Sequence, residues 1–294
     1  MSKPIIITGD DYGLCASVNQ AIEECMAAGS MSATCVMTNM ALYADAARLR
    51  RKFPNRSIGI HWNITQGRPV LSPEQVPTLV DERGMFAPDL RRRWFRRQVN
   101  GAEIRAELAA QYDRFRAVAG AADFWNTHQN VHVFPGLFQL FVDAAEQLKI
   151  AAMRSHRRFT VPKNGSVARY LMTHPNYWLK GRLIARWSAA AAASGMRMPD
   201  GRVYLPGHKP EMALLGEFAE RLPWKKIHHG IEWVVHPATS GEDKLLGALT
   251  ESRRREYELL SAPGLAAQIN KLGLRLVDFK FSPGECAGRG GKAA

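Results

Sequence analysis

An apolar run, Ile5-Ile6-Ile7-Thr8-Gly9, ends in two adjacent carboxylates, Asp10-Asp11. The run predicts a buried strand over residues 5–10 with both acids at its C-terminal end, the edge on which parallel α/β sheets and barrels keep their active sites. Two neighbouring anions are costly to bury alone, so the pair requires a metal, a proton or an arginine.

The rest of the chain alternates strand and helix. The first helix puts Val18, Ile22 and Met26 on one face and stops at Gly29. Further strands are expected at residues 34–37, 57–62, 123–127, 151–155, 231–235 and 275–277. Helices are expected at 42–51, 104–118, 136–149, 179–194 and 209–222, with two more split by Pro263. Residues 66–100 are a proline- and charge-rich excursion, and 160–205 are irregular apart from the Ala-rich helix. Strict alternation means a parallel sheet with helices outside it. Six or seven such units predict an α/β fold, a single-domain distorted or incomplete (β/α) barrel with parallel strands over residues 1–287, followed by a disordered tail over 288–294.

A chain of 294 residues can bury a core of that kind. No stretch approaches the ~20 apolar residues of a membrane span, and no basic-then-apolar leader opens the sequence, so the expected location is cytoplasmic. Cys15, Cys25 and Cys35 lack metal or disulfide-framework spacing and read as buried thiols. The net charge of +13 is concentrated partly in Arg91-Arg92-Arg93-Trp94-Phe95-Arg96-Arg97, with Arg157-Arg158 and Arg253-Arg254-Arg255 elsewhere. Apolar rings among arginines suit an anionic membrane surface, such as the inner face of a membrane, whereas plain solvated faces are the simpler reading. No zinc finger, RRM signature or basic zipper accompanies the charge, so no specific nucleic-acid partner is expected. A homo-oligomer is compatible with the sequence.

Histidines end the other strands. His61 closes Gly59-Ile60-His61-Trp62-Asn63, His128 closes Phe124-Trp125-Asn126-Thr127-His128, and His236 closes Trp233-Val234-Val235-His236. Parallel strands bring these ends to one rim, where one Asp and two His form a three-ligand site with open positions. His132, four residues after His128, could share a helical face with it or support the rim.

These blocks resemble the YdjC-like carbohydrate deacetylases. The resemblance rests on Thr8-Gly9-Asp10-Asp11-Tyr12-Gly13-Leu14, Gly59-Ile60-His61-Trp62-Asn63-Ile64-Thr65-Gln66-Gly67-Arg68-Pro69 and Thr127-His128-Gln129-Asn130-Val131-His132-Val133-Phe134-Pro135. It continues through Arg154, Gly230-x-Glu232-x-x-x-His236-Pro237 and Arg255-Glu256-Tyr257-Glu258-Leu259-Leu260. Asn130 and Asn126 depart from it, standing where many members carry histidine and aspartate. A branch associated with hopanoid glycolipids also carries asparagine near the second position.

The resemblance implies hydrolysis of an N-acetyl group on an amino sugar, free or lipid-linked, with one divalent metal. Asp11, His61 and His128 would hold the metal, Asp10 would be the general base and His236 the acid that protonates the leaving amine. Arg154 would contact the oxyanion or form a structural ion pair; Glu232, His132, Asn63, Trp62 and Tyr12 would bind substrate or support the ligands. A mixed N/O donor set suits zinc, cobalt, nickel or iron better than magnesium, although magnesium occurs in family structures. A metallohydrolase of another amide or a phosphoester, or a basic membrane- or nucleic-acid-binding protein, are the alternatives.

Overall fold

The sheet carries eight strands: β1 (Lys3–Tyr12), β2 (Ala33–Val36), β3 (Ser57–Trp62), β4 (Trp125–Thr127), β5 (Arg158–Thr160), β6 (Gly201–Tyr204), β7 (Ile231–Val235) and β8 (Leu274–Leu276). The computed structural model describes residues 3–163, 166–206, 208–241 and 244–280, so the tail expected over 288–294 lies outside the described residues. Among the described residues, ten helices flank the strands: α1 (Ala16–Ala27), α2 (Ala46–Lys52), α3 (Leu90–Phe95), α4 (Gly101–Ala119), α5 (Phe138–Gln147), α6 (Val167–Thr173), α7 (Pro175–Ala193), α8 (Ala213–Arg221), α9 (Thr250–Leu260) and α10 (Leu265–Lys271).

Every strand pair is parallel, in the order β4-β3-β2-β1-β7-β6-β5. β8 joins β1 at Lys3–Ile5, on the edge that β2 occupies further along, since Ile5 pairs with both Leu276 and Ile231. The expected strand over 151–155 is reduced to two isolated bridges, Trp125 to Met153 and Ala152 to Arg197. They carry the chain back beside β4 before it enters β5, so the sheet curls into a distorted, incompletely closed barrel. β6 falls inside the stretch expected to be irregular, and β5 lies just before it, reaching it only at Thr160. Their inward positions are Arg158 and Arg202, so they lack the apolar alternation that marks a half-buried strand.

Paired residues on parallel neighbours share a face. Ile6, Ala33, Cys35, Phe124, Ala152 and Phe279 therefore fill the barrel interior as a small core of their own. Phe124 and Phe279 stack there at 3.8 Å between ring centroids. Gly59 is needed beside them, because a Cβ would stand 2.5 Å from the Phe124 carbonyl oxygen. The opposite face, with Ile5, Ile7, Ile58, Ile60 and Trp62, belongs to the larger core that includes α1 and α4 residues Val18, Ile22, Leu108 and Phe115. Burial of two faces explains why β1 reads as a continuous apolar run.

Candidate functional site

Above the interior core the same inward positions turn polar: Asp10 on β1, Cys35 on β2, His61 on β3, Asn126 on β4 and Glu232 on β7, with Arg154 beside them. Successive residues on a strand face opposite ways, so Asp10 and Asp11 should diverge. A bulge resolves this. Gly9 pairs with Thr34 but Tyr12 with Val36, so three steps on β1 oppose two on β2. Asp11 takes the extra place with φ at 72°, a left-handed conformation that re-aims its carboxylate into the rim.

Asp11 Oδ1 lies 3.2 Å from His61 Nε2 and 3.2 Å from His128 Nδ1. One carboxylate oxygen and two imidazole nitrogens thus lie within 4.8 Å of one another, a donor set that fits a divalent cation. Asp10, Cys35 and His61 form a second such group. It fits less well: burial and the Asp10 charge hold the Cys35 thiol well above its usual pKa, and the Cys35 Sγ–H donates to Asp10 Oδ1 at 3.1 Å. Burial alone would depress the His61 imidazole, but Asp10 and Asp11 outweigh it and raise its pKa.

The Asn126 amide fits two ways round. With Oδ1 toward His61, it accepts from Nδ1–H at 2.6 Å and leaves Nε2 free to face Asp11. Turned over, it donates to His61 Nδ1 and accepts from both Arg154 Nη atoms at 2.9 Å. The first orientation suits metal ligation, because a ligating imidazole donates its other N–H to an oxygen.

Arginine answers each acid. Arg154 grips Asp10 with two bonds of 2.7 Å and binds Glu232 through Nε and Nη2 at 2.9–3.0 Å, and all three side chains are buried. Arg154 is therefore an ion-pair centre, and Glu232 supports it. Burial pushes the Asp10 carboxyl up, but Arg154, then His61 and His236, hold it far below the carboxylate range. Asp11 is also held well below that range; burial opposes this, and the hydrogen bonds from His128 and His61 prevail. Its second oxygen accepts from Arg253 Nη2 at 2.5 Å.

His236 stands at the mouth, a third exposed, with Nε2 3.8 Å from Asp10 Oδ2. Burial lowers its pKa despite the pull of Asp11 and Asp10. Its backbone N–H donates to Glu256 Oε2 at 2.6 Å.

Several expected participants stand elsewhere. Tyr12 is fully buried and donates to Glu23; Trp62 is fully buried and donates to the Leu108 carbonyl. Alternation with inward His61 sends the Trp62 ring outward into the helix-packed core, and the bulge at Asp11 turns Tyr12, two residues after Asp10, outward as well. Asn63 organises the loop after β3, accepting from the Thr65 and Gln66 amides at 3.0 Å. His132 does not join His128, because Gln129 and Asn130 adopt positive φ and break the helical face. It lies against His156, with Nδ1 on Thr127 Oγ1, and burial among Arg202 and Arg154 lowers its pKa to about 3. The sequence places Arg253 in a basic run and Glu256 in a block of the family resemblance, and gives neither a role at the site. The spacing of Arg253, Glu256, Tyr257 and Leu260 along one helix face was the signal available.

A model of the YdjC-like protein family matches residues 4–271. The chitooligosaccharide deacetylase of Yersinia enterocolitica is 29% identical over 283 residues, covering 95% of this chain and 99% of that protein. Its namesake from Yersinia pestis is 32% identical over 280 residues, with the same coverage. A crystal structure from Enterococcus faecalis, provisionally described as a cellobiose-phosphate cleavage protein, superposes with a TM-score of 0.71 at 23% identity, over 95% of this chain and 98% of that one. Near-complete coverage by the family model, across the strand ends that build the rim, shows that this chain belongs to the YdjC-like family.

Proposed function

We propose that this chain is a metal-dependent carbohydrate deacetylase that hydrolyses the N-acetyl group of an acetylated amino sugar. The observation that carries the proposal is the convergence of His61 Nε2 and His128 Nδ1 on one oxygen of Asp11. The deacetylase relatives supply the substrate class.

Asp11, His61 and His128 would hold the cation. A divalent cation held there would supply polarisation of the acetamide carbonyl and bring the pKa of a water down to ~7. Asp10, fixed by Arg154 next to the ligand but outside the triad, accepts the water proton. Its low pKa makes it a poor resting place for that proton. His236 Nε2, 3.8 Å away, takes it on and delivers it to the leaving amine. Arg154, saturated by Asp10 and Glu232, orients the base and is not available to the substrate.

A lipid-linked amino sugar is favoured over a soluble one by two features. α3 presents Phe95, 61% exposed, among Arg92, Arg96 and Arg97. Along β5, a cavity of about 860 Å³ is lined by apolar side chains such as Phe159, Val161, Leu171 and Ile184 together with basic ones, including Arg158 and Lys226. No helix among the described residues is long and apolar enough to cross a membrane, so the association would be peripheral.

The test is acetate release from N-acetylglucosamine oligomers and from lipid-linked acetamido sugars, after reconstitution with zinc or magnesium. Metal-dependent release is expected. No acetate from either class, or equal release in chelator, refutes the proposal. Flotation with anionic vesicles, abolished by Phe95→Asp, tests the membrane arm.

A further inference from the structure

Helix α9 packs outside the sheet yet reaches the rim with residues one turn apart. Arg253 is 4% exposed and donates to Asp11 Oδ2, while Glu256 accepts the His236 N–H. The next two arginines do something different: Arg254 pairs with Glu258 and Arg255 with Glu251 on the helix surface. The ion pair that Arg253 makes among the described residues is with Asp11.

The two oxygens of Asp11 are thereby divided. Oδ1 faces His61 and His128; Oδ2 is taken by a guanidinium. We propose that Arg253 is a positioning residue that confines Asp11 to ligation through Oδ1 alone, an assignment that rests on reading Asp11, His61 and His128 as the metal site. A free carboxylate can chelate through both oxygens. A guanidinium on one of them blocks the second bond and, as a fixed positive charge, weakens the carboxylate as a donor. Both effects lower metal affinity. The first also keeps a coordination position open for the reacting groups, which a catalytic site needs and a structural one lacks. Affinity and turnover should therefore move in opposite directions when Arg253 is removed, whereas loss of a merely structural residue would lower both.

The experiment compares the full chain with Arg253→Met and Arg253→Gln, using Zn²⁺ titration calorimetry on the metal-free protein and acetate release on the reconstituted one. Arg253→Met should bind Zn²⁺ about tenfold more tightly and turn over at least about tenfold more slowly. If it does not fold, Arg253→Gln, which keeps an amide donor near Oδ2 and deletes the charge, should also bind Zn²⁺ more tightly than the wild type, by less than Arg253→Met because only the charge is lost. Unchanged or weaker Zn²⁺ binding in the folded variant overturns the assignment. A wild-type chain without a stoichiometric Zn²⁺ site overturns the underlying reading of the triad instead, so the two failures are distinguishable.

Discussion

Arg154→Met removes the cation between two buried carboxylates. Asp10 is 3% exposed and Glu232 fully buried, and Arg154 makes five charged hydrogen bonds of 2.7–3.0 Å to them. Breaking a buried ion pair by removing one partner costs about 3–5 kcal/mol. Unfolding entropy of about 2.1 cal/mol/K per residue amounts to ~0.6 kcal/mol/K for a chain of this length, so the melting temperature should fall by roughly 5–8 °C at pH 7. The pH dependence identifies the cause. Without Arg154, Asp10 loses the cation that holds its carboxyl low, and burial raises its pKa above the unfolded value. The variant is therefore least handicapped at low pH and loses stability as the pH rises through the folded pKa. Scanning calorimetry of both proteins at pH 5 and pH 7 reads this directly. A deficit under about 1 kcal/mol at pH 7, the scale of an exposed pair, or one of equal size at both pH values, would refute the reasoning. Adding Glu232→Gln to Arg154→Met should recover part of the loss, because one orphaned charge disappears.

Asp10→Asn should reduce acetate release by about 10²–10⁴-fold, the range of a general base, while Zn²⁺ still binds; loss of the metal would exchange the roles of the two acids. Asp11→Asn should do the reverse, losing metal in a calorimetric titration while the fold survives, since asparagine tolerates the left-handed backbone at that bulge. Burial raises the Glu256 carboxyl from 4.5 to about 7, although its bond to the His236 amide opposes this. Between those values the unfolded chain is ionised and the folded one protonated. Folding stability should therefore fall by up to ~3 kcal/mol as pH rises through that window, and Glu256→Gln should flatten the slope in denaturant titrations. Gly59→Ala forces a methyl against the Phe124 carbonyl, and a loss of about 1–3 kcal/mol is expected in chemical unfolding.

The parts of the fold that were legible in the sequence are those where burial and chemistry coincide. β1, β3 and β7 read as apolar runs because both of their faces pack, and each ends at a residue of the rim. β5 and β6 were hidden because their inward side chains, Arg158 and Arg202, belong to the polar layer and mimic a surface. The Asp10-Asp11 pair was visible as chemistry, but its geometry was not. Only the bulge, a backbone event with no composition of its own, puts both acids on one side. Arg253 was masked by its neighbours: in a run of three arginines, two are solvated pairs and one is buried, and helical phase alone tells them apart. Arg154 was read as oxyanion contact or ion pair, and its partner Glu232 decided between them only in three dimensions.

β1 is the central strand, and its placement governs how the molecule can be made. One edge is paired in part by β2, about twenty residues later, and completed only by β8 near the end of the described residues; the other is paired by β7, more than two hundred residues later. During synthesis at ~5–20 residues per second, the Ile5-Ile6-Ile7 segment therefore waits many seconds with an unsatisfied, strongly apolar edge. Such an edge recruits other strands. A fragment ending before Ile231 should consequently aggregate rather than form a smaller working barrel, and recovery of the intact chain should depend on holdase capacity in the host. The architecture that brings Arg253 to the Asp11 carboxylate thus makes this a slow, late-closing fold, because pairings of such long sequence separation form last.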